Sequence, residues 1–313
     1  MEQLKEKYNL TKEDIKIGIE NFFIQLLKET KIKKPETKTL NDISSNYPKI
    51  SYIVGQPGAG KTSLEKYIQK EYEERDECTV EISADKVATY HKYYNELLKL
   101  LPDECYSISR RFVMPACEII LKEVQKQRLN VVRECAFSKG EQDYRRIQAF
   151  KEAGYNVEVN IIAVDKYESF LSCIERDIEL LELGYLPRPV TRENHDNMYE
   201  SFLSEITELI NRGICNNIKV YVRGQDINSP KLVYENGYNN YSCAREAVIV
   251  ERAKERKRII AESEKYLQRV RLVRQKVENL VNDERLKKDY YERINYLESE
   301  FLHEISLESD LEI

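Results

Sequence analysis

Residues 55–63 read GQPGAGKTS, and the first eight fit the spacing GxxxxGK[ST]. Residues of these types at this spacing cradle a polyphosphate. Gly55 and Gly60, at the first and sixth positions, carry no side chain that would keep backbone N–H groups from wrapping the anion. Lys61 then places a point charge on the β and γ oxygens. Thr62 offers a hydroxyl to Mg²⁺, and the helix that opens here aims its positive end at the phosphates. Gln56, Pro57, Gly58, Ala59 and Ser63 complete the loop. The whole segment Gly55 to Ser63 is therefore expected to bind ATP or GTP.

A phosphate loop does not name the acceptor of the phosphoryl group. Asp85 follows the second expected strand by three residues (ISADK), beside the phosphate loop in a doubly wound sheet, where a carboxylate can take the proton of an attacking hydroxyl. A plain surface-loop aspartate is the alternative. Glu134 ends the third expected strand (VVREC), at the carboxyl edge where ligands bind. It can hold an acceptor hydroxyl, help position Mg²⁺, or pair with Arg133 or a lysine. Arg176 (CIERD) and Arg188 (LPRPV) lie on and just beyond the helix after the fourth strand. Arginines there are like the lid of small kinases, which neutralises a phosphoryl group in transit, and ordinary salt bridges are the other reading. His195 is expected to be structural, a cap or an orienting group.

These residues need a scaffold, and the pattern supplies one. Apolar strands are expected at Ile50–Val54, Thr79–Ile82, Asn130–Arg133, Asn156–Val164 and Asn217–Val222, with an edge hairpin at Lys231–Tyr234. Helical stretches separate them at 63–74, 112–126, 141–153, 167–183 and 193–211. That alternation predicts an α/β fold, a doubly wound and mainly parallel sheet covered on both faces. An amphipathic helix over 12–29 and a linker to about 44 should precede it, leaving 45–240 as the kinase domain. From 241 to 313 the apolar residues recur every three or four positions, which predicts two helices in a hairpin. Residues 252–276 hold ten Lys or Arg against three Glu, and residues 283–313 hold four against ten Asp or Glu, so an antiparallel hairpin would set basic beside acidic.

Composition narrows the classes. Of the 313 residues, 41% are apolar, enough for a core, and 34% are charged, which suits long solvated helices. A net charge of −5 gives no bias toward nucleic acid or membrane. No apolar run is long enough to span a bilayer, and MEQLKEKYNL lacks the pattern of a signal peptide, so a cytoplasmic protein is expected. The seven cysteines are scattered and form no CxxC, which predicts reduced thiols rather than zinc or disulfides.

Over roughly residues 45–235 the chain resembles the zeta toxin family, P-loop kinases of bacterial toxin–antitoxin modules. GQPGAGKTS at 55–63 stands against the family loop GQPGSGKTS. ISADKVATYHKYYNEL sets Asp85, His91 and Glu96 in the family register, and NVVRECA stands against NLVIEGT, giving Glu134. Ile174–Glu175–Arg176 matches the family IER helix, and Arg188 precedes His195–Asp196 as a family arginine precedes its HD pair. The resemblance implies transfer of the γ-phosphoryl of ATP to the 3′-hydroxyl of the amino sugar in UDP-N-acetylglucosamine, which would halt cell-wall synthesis, and an antitoxin protein as partner. It implies Lys61 and Thr62 for ATP and Mg²⁺, Asp85 as general base, Glu134 as substrate contact, and Arg176 and Arg188 on the γ-phosphoryl. The chain departs from the family after Glu134. Ala136 stands at a threonine position and Ser138 at an arginine position, with Lys139 next to it. Two other readings therefore stand beside the first: a kinase of another small molecule or nucleotide, and a nucleotide-binding interaction protein with little catalysis.

Overall fold

The structure, a computed structural model, describes residues 7–33, 36–135, 140–183, 187, 189–224, 229–236 and 241–311. Six strands form one sheet in the order β2–β3–β1–β4–β5–β6. They are β1 Lys49–Val54, β2 Thr79–Ile82, β3 Asn130–Cys135, β4 Asn156–Ile162, β5 Asn217–Val222 and β6 Lys231–Glu235. The first five are parallel, and β6 runs antiparallel on β5 as the expected edge strand. β1 shows why the sheet is covered twice. Ile50, Tyr52 and Val54 enter one apolar cluster, while Ile53 enters another with Leu64 and Ile68 of the following helix. The chain leaves β1 toward β2 and β3 on one side and β4 and β5 on the other, so a crevice opens at the carboxyl end of β1.

The helices are α1 Lys12–Lys33, α2 Lys61–Glu74, α3 Ala84–Ala88, α4 Tyr94–Leu100, α5 Pro102–Lys126, α6 Glu141–Glu152, α7 Lys166–Glu182, α8 Arg192–Arg212, α9 Ala244–Ala261, α10 Ser263–Leu280 and α11 Glu284–Leu311. α1 buries Ile19 and Phe22 in the sheet cluster. The polar stretch after it is anchored too, because Thr37 and Ile43 are buried. Two short helices, α3 and α4, occupy a stretch that periodicity leaves blank. They are too brief to repeat an apolar stripe, and Ser83, whose hydroxyl accepts from the Lys86 N–H at 3.1 Å, starts α3 by capping.

The C-terminal region differs from its sequence pattern. The first helical series breaks at Glu262 into α9 and α10. The reason is that the two halves face different partners. α9 turns Ala244, Ala247 and Val248 onto the sheet cluster, whereas α10 turns Tyr266, Val270, Val273 and Val277 onto α7. One straight helix cannot present both faces. α9, beyond the boundary expected at 241, therefore shares its apolar cluster with the sheet. α10 and α11 form the hairpin, closed by Arg274–Glu298 at 2.6 Å and Lys287–Glu278 at 3.0 Å. α10 also turns cations the other way, Arg269 to Glu175 at 2.8 Å and Lys276 to Glu182 at 2.9 Å on α7. The basic helix thus serves two acidic neighbours. Tyr290, Ile294, Leu297 and Phe301 of α11 complete the cluster on α7.

Candidate active site

The loop between β1 and α2 is shaped by its glycines. Gly60 caps α2 at φ +100°, in the left-handed region open to glycine. Gly58 sits at φ +72°, and a Cβ there would stand 1.9 Å from the Ser169 carbonyl oxygen of α7. The loop is thus pressed against α7, and its backbone turns at these two residues. Ala59 N–H donates to the Gln56 carbonyl at 3.2 Å, closing the turn. Ser63 and Leu64 N–H already donate to the Gly60 carbonyl, at 3.1 and 3.2 Å, which leaves the N–H groups of Lys61 and Thr62 at the helix start to face an anion.

Lys61 folds back over this turn. Its amine donates to the Gln56 carbonyl at 3.2 Å and stands 3.5 Å from Oε1 of Glu134 at the end of β3. Of the roles open to Glu134, the lysine pair is the one formed here. Both residues line a cleft of about 250 Å³, together with Gly58, Gly60, Thr62, Ser63, Ser172, Glu175, Arg176 and Arg223. Arg176 is half exposed and touches buried Asp177 at 3.4 Å, so its guanidinium stands at the cleft wall with freedom to move. Thr62 is exposed on the first turn of α2. A hydroxyl, a carboxylate and an anion-binding helix start suit a hard cation shared with phosphate oxygens, so the residues fit Mg²⁺ and a nucleoside triphosphate.

The structure therefore brings Lys61, Thr62, Arg176 and Glu134 around one cleft. Asp85 stands outside its lining, exposed on the first turn of α3. β2, which leads to it, pairs with β3, so the carboxyl edge runs from the phosphate loop through Glu134 to Asp85. Arg188 lies outside the described residues, as do Ala136, Ser138 and Lys139. His91 and Glu96 are structural. Buried His91 accepts the Tyr93 N–H at Nδ1, 3.1 Å away, and packs edge-on against Phe112. Glu96 holds Lys7 and Tyr8.

His195 is an orienting group. It is buried, with Nε2 2.9 Å from Ser169 Oγ and Nδ1 3.1 Å from Asp196, and burial holds its imidazole below the usual range. The neighbouring Cys173 is no nucleophile, since burial pushes its thiol up to about 11. Glu65, one turn along α2 from Lys61, is nearly sealed from solvent, and its Oε1 has no hydrogen-bond partner among the described residues. Burial first, then the charges of Glu81 and Glu134, push its carboxyl up to about 8, so it is largely neutral at pH 7.

Sequence reasoning missed Arg223. It follows β5 by one residue and donates to the Gly58 carbonyl, to the Ala59 carbonyl at 3.2 Å, to Glu168 at 3.0 Å and to Ser172 at 3.1 Å. The rule that found Glu134, a polar residue at the carboxyl end of a strand, would have found it.

Comparison with known proteins finds a family and several relatives. The family described as Zeta toxin matches residues 34–236. Toxin PezT of Streptococcus pneumoniae serotype 4 is 26% identical over 202 residues, 64% of this chain and 77% of that protein. Toxin zeta of Streptococcus agalactiae is 26% identical over 196 residues, 61% of this chain and 66% of that one. A solved structure from the PezAT chromosomal toxin–antitoxin system of Streptococcus pneumoniae superposes with a TM-score of 0.66 at 20% identity, covering 88% of this chain and 99% of the other. That overlap shows a shared fold and reaches beyond the family match, into the C-terminal helices. With well over half of its length matched and a phosphate loop at its heart, the chain belongs to the zeta toxin family.

Proposed function

We propose that this chain is an ATP-dependent, Mg²⁺-requiring kinase that phosphorylates the 3′-hydroxyl of the amino sugar in UDP-N-acetylglucosamine and acts as a toxin restrained by an antitoxin protein. The observation that carries the reading is the Lys61–Glu134 contact of 3.5 Å at the mouth of the glycine loop, in the cleft that Arg176 also lines. A lysine held by a carboxylate is poised to exchange it for the β and γ phosphates. Glu134, once released, faces the acceptor. Arg176 follows the charge that develops on the phosphoryl group. Asp85, farther along the same edge, is the group we assign as general base, and Arg188 is assigned to the γ-phosphoryl by family resemblance alone. A reaction that uses ATP and a UDP-sugar implies a cytoplasmic enzyme.

A second reading keeps the kinase and changes the acceptor. It is favoured by Ala136 and Ser138, which stand where the family pattern has threonine and arginine. Mass spectrometry of reactions containing ATP, Mg²⁺ and a panel of UDP-sugars and nucleotides separates the two. The first reading expects UDP-N-acetylglucosamine to gain one phosphoryl group faster than any other acceptor. Preferential labelling of another compound establishes the second.

A further inference from the structure

We propose that the C-terminal helices hold the phosphate loop in its anion-binding shape, with Arg252 on α9 and Arg269 on α10 as positioning residues that act through Gln56 and Arg223. The inference rests on the reading of residues 55–63 as a nucleotide site. It concerns a region beyond residue 236, where the family match ends.

The first arm is Arg252. It is 5% exposed and forms no ion pair with any described residue. Asp165 and Glu255 act on its charge only from beyond salt-bridge reach, and a buried guanidinium without a paired carboxylate is costly, so the contacts it does make are informative. It lies over the Tyr199 ring at 3.9 Å and donates to the Tyr199 carbonyl at 3.3 Å. Its remaining bond reaches the Gln56 side-chain oxygen at 3.0 Å. The Gln56 amide nitrogen in turn donates to the Val164 carbonyl at 2.7 Å, so the side chain is held at both ends. This matters because the Gln56 backbone carbonyl receives both Ala59 N–H and the Lys61 amine. Gln56 is the floor on which the loop turns and the lysine rests.

The second arm is Arg269. It grips Glu168 with two contacts of 3.0 Å and Glu175 at 3.1 and 2.8 Å. Glu168 also receives Arg223 at 3.0 Å, and Arg223 donates to the carbonyls of Gly58 and Ala59. A loop that offers N–H groups to an anion must turn carbonyls outward, and Arg223 satisfies two of them there. Without Arg269, the Glu168 charge would draw Arg223 away from those carbonyls and repel the incoming phosphates. Helices of which no described residue lines the cleft thereby set the geometry of the nucleotide site.

The test uses the full chain and MgATP. ATP affinity, kcat and the urea midpoint without nucleotide are measured for wild type, Arg252→Met, Arg252→Lys, Arg269→Gln, Gln56→Met and Arg223→Gln. Arg252→Met and Arg269→Gln should each weaken ATP binding about tenfold, as expected of coupled neighbours, with Arg252→Lys recovering part of the loss. Adding Arg252→Met to Gln56→Met, or Arg269→Gln to Arg223→Gln, should weaken binding no further, because each pair acts as one unit. A merely structural role predicts additive losses that follow the urea midpoint. If Arg252→Met fails to fold, the half-exposed Arg269 and its cycle with Arg223 decide the matter. Single variants that bind ATP like wild type, or additive cycles, overturn the clamp while leaving the kinase reading intact. A wild-type protein that binds no ATP overturns the kinase reading and the clamp with it.

Discussion

Lys61 and Glu134 form a pair that a bound anion would have to open, at moderate cost because Glu134 keeps about a third of its side chain in solvent. Arg176 is freer still, which suits a group needed most in the transition state. Arg176→Ala should therefore lower kcat at saturating ATP by about 10²-fold or more, and Arg176→Lys should recover only part, lacking the planar fork. Full turnover in Arg176→Ala would make the residue a surface ion pair. Glu65 tests the electrostatics of the same region. Burial pushes its carboxyl up to about 8, from the ordinary 4.5. The stability tied to its protonated form is then complete below about 4.5 and is lost as pH rises through about 8, by at most about 1.4 kcal/mol per pH unit. Glu65→Gln should flatten that fall in a series of urea midpoints from pH 5 to 9; an unchanged slope would show that Glu65 is ionised throughout. Sequence patterns pointed to Lys61, Glu134 and Arg176 because each follows a strand or fills a motif position. Nothing local marks Arg252 or Glu65. Their roles come from burial beside the loop, and a lone charge within a helical pattern reads as solvent-facing.

At the scale of elements, the phosphate loop is a strand-to-helix turn wedged onto α7. Gly58→Ala would add a Cβ against the Ser169 carbonyl at a positive φ. The change should destabilise the protein by about 1–3 kcal/mol and remove ATP binding, read by urea unfolding and calorimetry. Wild-type affinity in that variant would mean that the loop is not seated on α7. The strands were legible because their apolar runs are short and bounded, and the parallel order followed from the helices between them. The C-terminal break at Glu262 was not legible. Of the three α9 residues that meet the sheet, two are alanines, Ala244 and Ala247, beside Val248, so they leave little trace in an apolar period. The opposed charges of α10 and α11 were visible, yet the acids of α7 that take Arg269 and Lys276 belong to a distant segment. Pairing between distant segments is decided by packing, which no local window contains.

For the whole molecule, α7 joins the kinase fold to the C-terminal helices. Its Ser169 and Cys173 press on the loop, while Phe170, Leu171, Ile174 and Ile178 are covered by the hairpin of α10 and α11. Chains ending after Asn240 and after Ala261 separate the contributions. The shorter one loses α9 from the sheet cluster and should not fold to a soluble protein. The longer one keeps α9 and should retain the sheet but lose ATP affinity and expose the apolar face of α7, seen as dye binding and loss of thermal cooperativity. A soluble, fully active chain ending at Asn240 would make residues 241–313 a separable appendage. The central proposal is that Lys61 and its loop transfer a phosphoryl group from ATP to the amino sugar of UDP-N-acetylglucosamine. The direct measurement incubates wild type and Lys61→Ala, shown to share one circular dichroism spectrum, with MgATP and that sugar nucleotide, and follows ADP and sugar nucleotide by mass spectrometry. The account predicts one phosphoryl group gained by the sugar nucleotide for each ADP formed with wild type, and neither product with Lys61→Ala. Equal product from both proteins, or ADP from wild type with the sugar nucleotide unchanged, would contradict it.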